Sequence, residues 1–385
     1  MPRSAGSVLR FTHVHLKNWR NFVKAELNLP RRAFLAGPAA SGKTNFLDAL
    51  SFLRELAAPG GGFQRAVARR GGVARLRCLD ARQHSDLGIL VRIGNAAGPA
   101  EWEYELQFNH EETARPLVKR ERAARRGEDV FVRPDDQDAA DPDRLAATLL
   151  EQGHARGDLR ELASFLGAVR YFHPTPQRVR EPHRSDAAFD SFGGGLLEQI
   201  AATPEKSRNP RLRVILEALR AAVPHLKQLE VRRDSRGRPH LRARYEHWRA
   251  RGAWQTEDEF SDGTLRLMAI LWTALDGAGP LLLEEPELSL HPAIVRVILS
   301  MLARMQHRSG RQIILTTHSL DLLAGEKPRF DGVFLFVPRQ EGTVVVPAIG
   351  RADVESLLAE GAVRAVGPEE PPAPDEHQMG LFEEE

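Results

Sequence analysis

Cysteine is almost missing from this chain: Cys78 stands alone among 385 residues. A single thiol can neither close an intramolecular disulfide nor build a multi-cysteine zinc site. The fold must therefore be held by its core, and a cytoplasmic setting is the simple expectation. No run of 18 apolar residues occurs, so no segment suits a membrane span. Met1-Pro2-Arg3-Ser4-Ala5-Gly6-Ser7 lacks the apolar stretch of a secretory signal. Internal repeats, long heptad runs and a His-Asn-His nuclease pattern are absent too. A large excess of charge is also missing, with a formal net of +2, but the distribution is uneven. Residues 368–385 hold seven acids and no Lys or Arg, so the remainder carries +9. A basic body suits nucleic acid or another polyanion; an Arg-rich composition with solvated basic faces gives the same count, and both readings stay open.

What is present starts with Gly37-Pro38-Ala39-Ala40-Ser41-Gly42-Lys43-Thr44, a match to GxxxxGK[ST]. It follows the apolar run Ala33–Ala36 and leads into Asn45–Leu53, whose apolar residues recur at helical spacing. Strand, glycine-rich loop and helix are the context in which backbone N–H groups wrap phosphate oxygens. Lys43 would reach the β- and γ-phosphates, and the Thr44 hydroxyl would bind Mg²⁺. The backbone and polar groups of Gly37, Ser41, Gly42 and Asn45 complete the expected nucleotide contacts. A second motif is Leu281-Leu282-Leu283-Glu284-Glu285-Pro286-Glu287, a buried-type strand ending in two acids. In that arrangement Glu284 would hold Mg²⁺ and Glu285 would orient or deprotonate the attacking water. A third is Thr316-Thr317-His318-Ser319, after the apolar strand Gln312–Leu315; His318 at such a tip can sense a γ-phosphate. A fourth is Phe260-Ser261-Asp262-Gly263-Thr264 before an apolar helix, where Ser261 is a plain N-cap or part of an anion site.

Along the chain, strands are expected at Val8–Leu16, Val23–Leu29 and Ala33–Ala36, and antiparallel strands fill 87–133. Residues 134–142 read as a polar linker, 143–152 and 157–167 as helices, and Ala168–Phe172 as a short strand. Residues 178–193 look irregular. Helices follow at Leu196–Ala202 and Leu212–Val223, then a hairpin of Leu229–Arg233 with His240–Tyr245. Beyond Phe260 helices at 264–275, 292–306 and 319–324 alternate with strands at 280–283 and 312–316. Two further strands, Gly332–Phe336 and Thr343–Val346, and a helix at Arg351–Ala359 complete the pattern. The expected division is an N-terminal ATPase lobe over 1–177, a helical and hairpin lobe over 178–259 and a C-terminal ATPase lobe over 260–350. A terminal helix over 351–366 and a disordered acidic tail over 367–385 follow.

The order of these motifs resembles the ATPase head of the ABC superfamily, and more narrowly its RecF/SMC/OLD branch. Leu16-Lys17-Asn18-Trp19-Arg20-Asn21-Phe22 is similar to the segment that opens RecF- and SMC-type heads. Gly37–Thr44 matches Walker A, Phe260–Thr264 stands at the signature position, Leu281–Pro292 resembles Walker B with its D-loop, and His318 falls on the switch histidine. The resemblance implies an α/β fold: a P-loop NTPase head with an antiparallel β subdomain and a helical lobe. It also implies ATP and Mg²⁺ as ligands, ATP hydrolysis, and a head-to-tail homodimer in which Ser261 and Gly263 contact the γ-phosphate bound to the partner. Arg20 would approach the nucleotide. Gln177 would be the glutamine that couples Mg²⁺ to lobe motion, or a plain loop residue; Gln64 is a poorer candidate because the antiparallel strands still follow it.

Three departures stand out: Ala39 where relatives have Asn, Glu284 for Asp, and Ser-Asp-Gly-Thr for Ser-Gly-Gly-Gln; the last two fit the OLD-like side. Only 66 residues follow Ser319, too few for the Toprim domain of OLD proteins, and the 82 between Gln177 and Phe260 cannot make long arms. The implied setting is DNA maintenance or anti-phage defence, with DNA or a separate nuclease or effector as partner and no membrane. A nucleotide-gated scaffold or DNA clamp with incidental hydrolysis, and a transporter subunit, are the alternatives. The Arg-rich stretch Arg115–Arg133 and the cluster Arg65, Arg69 and Arg70 could bind phosphates or lie on solvated faces.

Overall fold

Two six-stranded sheets clasp one helix, and the alternation of apolar residues along their strands explains why. The computed structural model describes residues 8–81, 86–95, 99–110, 115–154, 156–181, 190–246, 253–319 and 332–348. The helices expected at 319–324 and Arg351–Ala359 and the tail over 367–385 lie outside them. In chain order come β1 (Arg10–Trp19), β2 (Phe22–Asn28), β3 (Arg32–Ala36), α1 (Lys43–Ala57), α2 (Phe63–Arg69) and α3 (Val73–Leu76). Next are β4 (Leu87–Gly94), β5 (Trp102–His110), β6 (Pro116–Arg125), β7 (Glu128–Arg133), α4 (Asp136–Ala140), α5 (Arg160–Gly167), β8 (Arg170–Phe172) and α6 (Pro176–Arg180). Then follow α7 (Leu196–Ala202), α8 (Glu205–Leu219), β9 (Leu226–Arg233), β10 (Pro239–Tyr245) and β11 (Ala253–Thr256). The last are α9 (Asp262–Leu275), β12 (Leu281–Glu284), α10 (Pro292–Ser309), β13 (Ile313–Thr317), β14 (Val333–Arg339) and β15 (Gly342–Pro347).

The first sheet is antiparallel, in the order β2-β1-β4-β5-β6-β7. The second runs β15-β14-β3-β13-β12-β8, parallel except for the β14–β15 hairpin. Side chains alternate across a strand, so this sheet has two faces to bury. Leu35, Leu282 and Ile314 pack with α1 and the first sheet; Phe34, Leu281, Leu283, Ile313 and Leu315 pack with α9 and α10. The parallel register aligns Ala36 with Thr317, Glu284 with Thr316 and Leu283 with Phe172. Four chain segments therefore leave the sheet along one carboxyl edge, the place where open α/β sheets bind ligands.

That sheet joins strands from both the 1–177 and the 260–350 segments, while 178–259 supplies α7, α8 and a three-stranded sheet, β11-β10-β9. Several local expectations change. Residues 134–142 are not a linker: Asp135 and Asp138 form a reciprocal capping box that starts α4, and Asp138 is buried. The helix expected over 143–152 is two 3₁₀ turns, Pro142–Ala146 and Leu150–Gln152. α6 opens the stretch read as irregular, and α8 begins seven residues before its expected start, carrying Pro210 inside it. β11 was not expected; its four partly buried residues show neither alternation nor an apolar run.

Candidate functional site

The phosphate-loop motif leaves β3 and closes on itself. Gly42 has φ 93° and Ala40 φ 60°, so the chain turns through left-handed conformations before α1. Lys43, 5% exposed, donates through Nζ to the carbonyls of Gly37 and Pro38, both at 2.7 Å, and lies 3.4 Å from Ser41 Oγ. Burial lowers the Lys43 pKa, while Glu285, Glu287 and Glu284 oppose that shift. The loop is braced from outside. Asn21 Nδ2 and Thr343 Oγ1 both donate to the carbonyl of Ser41, at 3.2 and 3.0 Å. Asn45 Nδ2 donates to Asn21 Oδ1 at 2.8 Å, and the Phe336 carbonyl lies 2.6 Å from where a Cβ on Gly37 would stand.

Two strands away, on β12, Glu284 accepts from the Thr44 hydroxyl at Oε1 and from the Tyr171 hydroxyl, of β8, at Oε2. Burial first, and then Glu284, push the Tyr171 pKa well up, so the phenol stays a donor. His173 Nδ1 is 3.0 Å from the Glu284 carbonyl. Glu285 follows with φ 43°; its N–H donates to Thr316 Oγ1 at 3.2 Å, and its Oε1 lies 3.1 Å from His318 Nδ1. Thr317 Oγ1 donates to buried Glu287, whose carboxyl burial pushes up. Arg266, buried in α9, donates to the carbonyls of Pro174 at 2.6 Å and Glu285 at 3.0 Å. Thr44 and Glu284 form an oxygen-only pair beside the loop. That donor chemistry fits Mg²⁺, which takes one or two carboxylates and completes its shell with water and substrate phosphates.

The signature segment sits elsewhere. Ser261 caps α9, its Oγ accepting from Thr264 N at 3.2 Å. Gly263 faces the Ser289 carbonyl, 2.9 Å from where its Cβ would stand. Arg180 of α6 ties this segment down, donating to Glu257 O at 3.2 Å, Phe260 O at 2.8 Å and Asp262 Oδ1 at 2.8 Å.

These contacts bear on three of the expectations. Arg20 reaches Asp48 and the carbonyl of Arg75 rather than the loop; the neighbouring Asn21 makes the loop contacts. Gln177 is exposed on α6 and, among the described residues, joins none of the site's hydrogen bonds, whereas Tyr171 reaches Glu284. The Arg-rich strands are internally neutralised. Arg115 pairs with Asp143, Arg120 with Glu105, Arg122 with Glu103 and Asp129, Arg125 and Arg126 with Glu101, and Arg133 with Asp138. Arg69 and Arg70 pair with Glu55, and Arg65 binds the Gly60 carbonyl. Gln64 is structural, bridging the carbonyls of Pro116 and Ala146 at 2.9 and 2.6 Å. Tyr171 and Thr343 were beyond motif reading because their partners lie 113 and 302 residues away. Asn21 sat inside a quoted motif.

Fold and site together define a P-loop ATPase head of the ABC superfamily, of the SMC and RecF type. Within that class the chain belongs to the family described as "AAA domain, putative AbiEii toxin, Type IV TA system", matched over residues 32–324. It is similar to the ABC transporter ATP-binding/permease protein Rv1747 of Mycobacterium tuberculosis, 26% identical over 259 residues, which are 63% of this chain and 28% of that one. It is also similar to the DNA replication and repair protein RecF of Roseiflexus castenholzii, 41% identical over 59 residues, 15% of each chain. The chain thus spans under a third of the length of either relative. A solved SMC head bound to the C-terminal winged-helix domain of ScpA shares the fold. The TM-score is 0.55 at 13% identity, covering 87% of this chain and 96% of that one. Among the described residues no helix is long and apolar enough to cross a membrane.

Proposed function

We propose that this chain binds ATP with Mg²⁺, pairs head-to-tail with a second copy around two ATP molecules, and hydrolyses ATP to ADP and phosphate. One observation carries this reading. Three neighbouring strand tips of one parallel sheet bring together the phosphate loop, the Thr44–Glu284 pair and the Glu285–His318 pair. Lys43 exchanges its loop carbonyls for phosphate oxygens. Glu285 accepts the proton of the water that attacks the γ-phosphorus as the bond to the β-phosphate oxygen breaks. His318 holds the Glu285 carboxylate in place. Mg²⁺, when bound, would supply positive charge to the β- and γ-phosphate oxygens, with Thr44 and Glu284 as the residues that hold it. Ser261 and Gly263 make no hydrogen bond to their own chain's loop in the described structure, which supports their use on a partner's nucleotide.

The biological setting we infer is DNA maintenance or anti-phage defence in the cytoplasm, with DNA or a separate effector as target. The family description names a toxin and a toxin–antitoxin system, one relative is a replication and repair protein, and an SMC head is seen carrying a partner protein. Steady-state turnover of the wild type and Glu285→Gln tests the enzyme reading. The variant should lose about 100-fold or more while still binding ATP. Background turnover in both proteins would overturn it.

A further inference from the structure

With the Arg115–Arg133 strands neutralised, positive charge must lie elsewhere to meet a polyanion. We propose that the tip of the β9–β10 hairpin docks a nucleic-acid backbone; this rests on the nucleic-acid side of the reading above. Four of the seven residues 232–238 are arginine: Arg232, Arg233, Arg236 and Arg238. All four are exposed. None meets a carboxylate among the described residues; Arg233 gives one N–H to the Gly237 carbonyl at 2.6 Å. The single acid of the tip, Asp234, spends Oδ1 inside the turn, accepting from the backbone N–H groups of Arg236 and Arg238, both at 2.8 Å. Its Oδ2 faces His240 Nε2 at 3.7 Å. The backbone closes with Asp234 N on Arg238 O at 2.9 Å and Gly237 at φ 79°. The guanidiniums therefore project from a fixed turn, and little chain freedom is lost when an anion is bound.

The tip's arginine forks match phosphate and carboxylate oxygens alike. One feature favours nucleic acid over an acidic protein surface: the same sheet carries an aromatic platform. Leu241 and Ala243 point into the core, so Arg242 and Arg244 share the opposite face of β10. Their guanidinium carbons lie 4.8 and 6.0 Å from the ring centroid of Trp254, which stays partly exposed. Arg242 also lies 3.7 Å from Glu230. A partly exposed indole beside two guanidiniums is a surface on which a base can stack.

The test is fluorescence anisotropy of a labelled oligonucleotide, single-stranded and duplex, with the full chain over a salt series. The variants are Arg232→Ala/Arg236→Ala/Arg238→Ala and, on the neutralised strands, Arg120→Ala/Arg122→Ala, each checked for an unchanged melting temperature. The tip variant should bind at least tenfold more weakly and lose about two to three from the log–log salt slope; the other variant should change less than about twofold. Binding by the wild type that the tip variant matches would overturn the hairpin assignment and leave the nucleic-acid reading standing. No oligonucleotide binding by the wild type at low salt would overturn both. Binding to polyglutamate in place of oligonucleotide, lost in the tip variant, would assign the surface to an acidic protein and overturn the proposal.

Discussion

Gly42 is the residue at which the phosphate loop is least forgiving. Its φ of 93° disfavours any side chain, and a Cβ there would stand 2.0 Å from Asn21 Nδ2. Gly42→Ala must therefore either distort the turn or expel Asn21. A titration with a fluorescent ATP analogue should show affinity reduced more than about tenfold, since left-handed strain and a broken brace each cost about 1 kcal/mol or more. Thr343→Val is a gentler probe: it keeps the shape and removes one donor to the Ser41 carbonyl and one acceptor for Asn21 Nδ2. It should weaken the same titration about threefold to tenfold while leaving the melting temperature nearly unchanged. The places of Lys43, Thr44, Glu284, Glu285 and His318 at the sheet edge were legible in the sequence, because each sits at a fixed offset from a glycine loop or an apolar strand. Tyr171 was not. Its role depends on β8 lying beside β12, and that adjacency has no local signature.

At the scale of elements, apolar strands were legible and polar structure was not. Leu281–Leu283 and Ile313–Leu315 announce themselves as buried strands, and α9 follows an Asp-Gly-Thr start with an apolar run. Residues 134–142 misled because polarity was read as solvation. The Asp135-x-x-Asp138 spacing of a capping box was there to be seen, but the partner that buries it, Arg133, comes from β7. Arg133 donates to both oxygens of Asp138 and to Glu121. Truncating Arg133 to Ala leaves two buried carboxylates without their shared guanidinium and should cost roughly 3–5 kcal/mol in a denaturant titration.

The hydrogen bonds from Arg133 hold the Asp138 carboxyl at about 2, against an ordinary 3.8. A depressed folded-state value contributes stability above the unfolded value and loses it as pH falls toward the folded one. Between about pH 5 and pH 2 the wild type should therefore lose about 2 kcal/mol more than Asp138→Asn, seen as a steeper fall of unfolding free energy with pH.

The whole molecule is an interleaved object whose proposed active unit is two copies. If each site joins one chain's Lys43 to the other's Ser261, two inactive variants should rescue each other. Lys43→Ala keeps its signature segment and Ser261→Arg keeps its phosphate loop. Mixed in equal amounts, they should recover clear turnover, at most about half of wild type because each mixed dimer holds one complete site, though each alone is near background. Light scattering of Glu285→Gln with ATP should show a dimer that Ser261→Arg abolishes.

The brace on the phosphate loop has a consequence for how the protein comes into being. Thr343 and Phe336 support a loop made some 300 residues earlier, and β3 finds both its sheet neighbours, β13 and β14, only near the end of the described chain. A ribosome delivers the motif long before its supports, so a chain interrupted during synthesis carries Gly37–Thr44 but cannot shape it. On the proposed reading, competence to hold a nucleotide would thus arrive late, and a chain cut before β13 should bind no fluorescent ATP analogue.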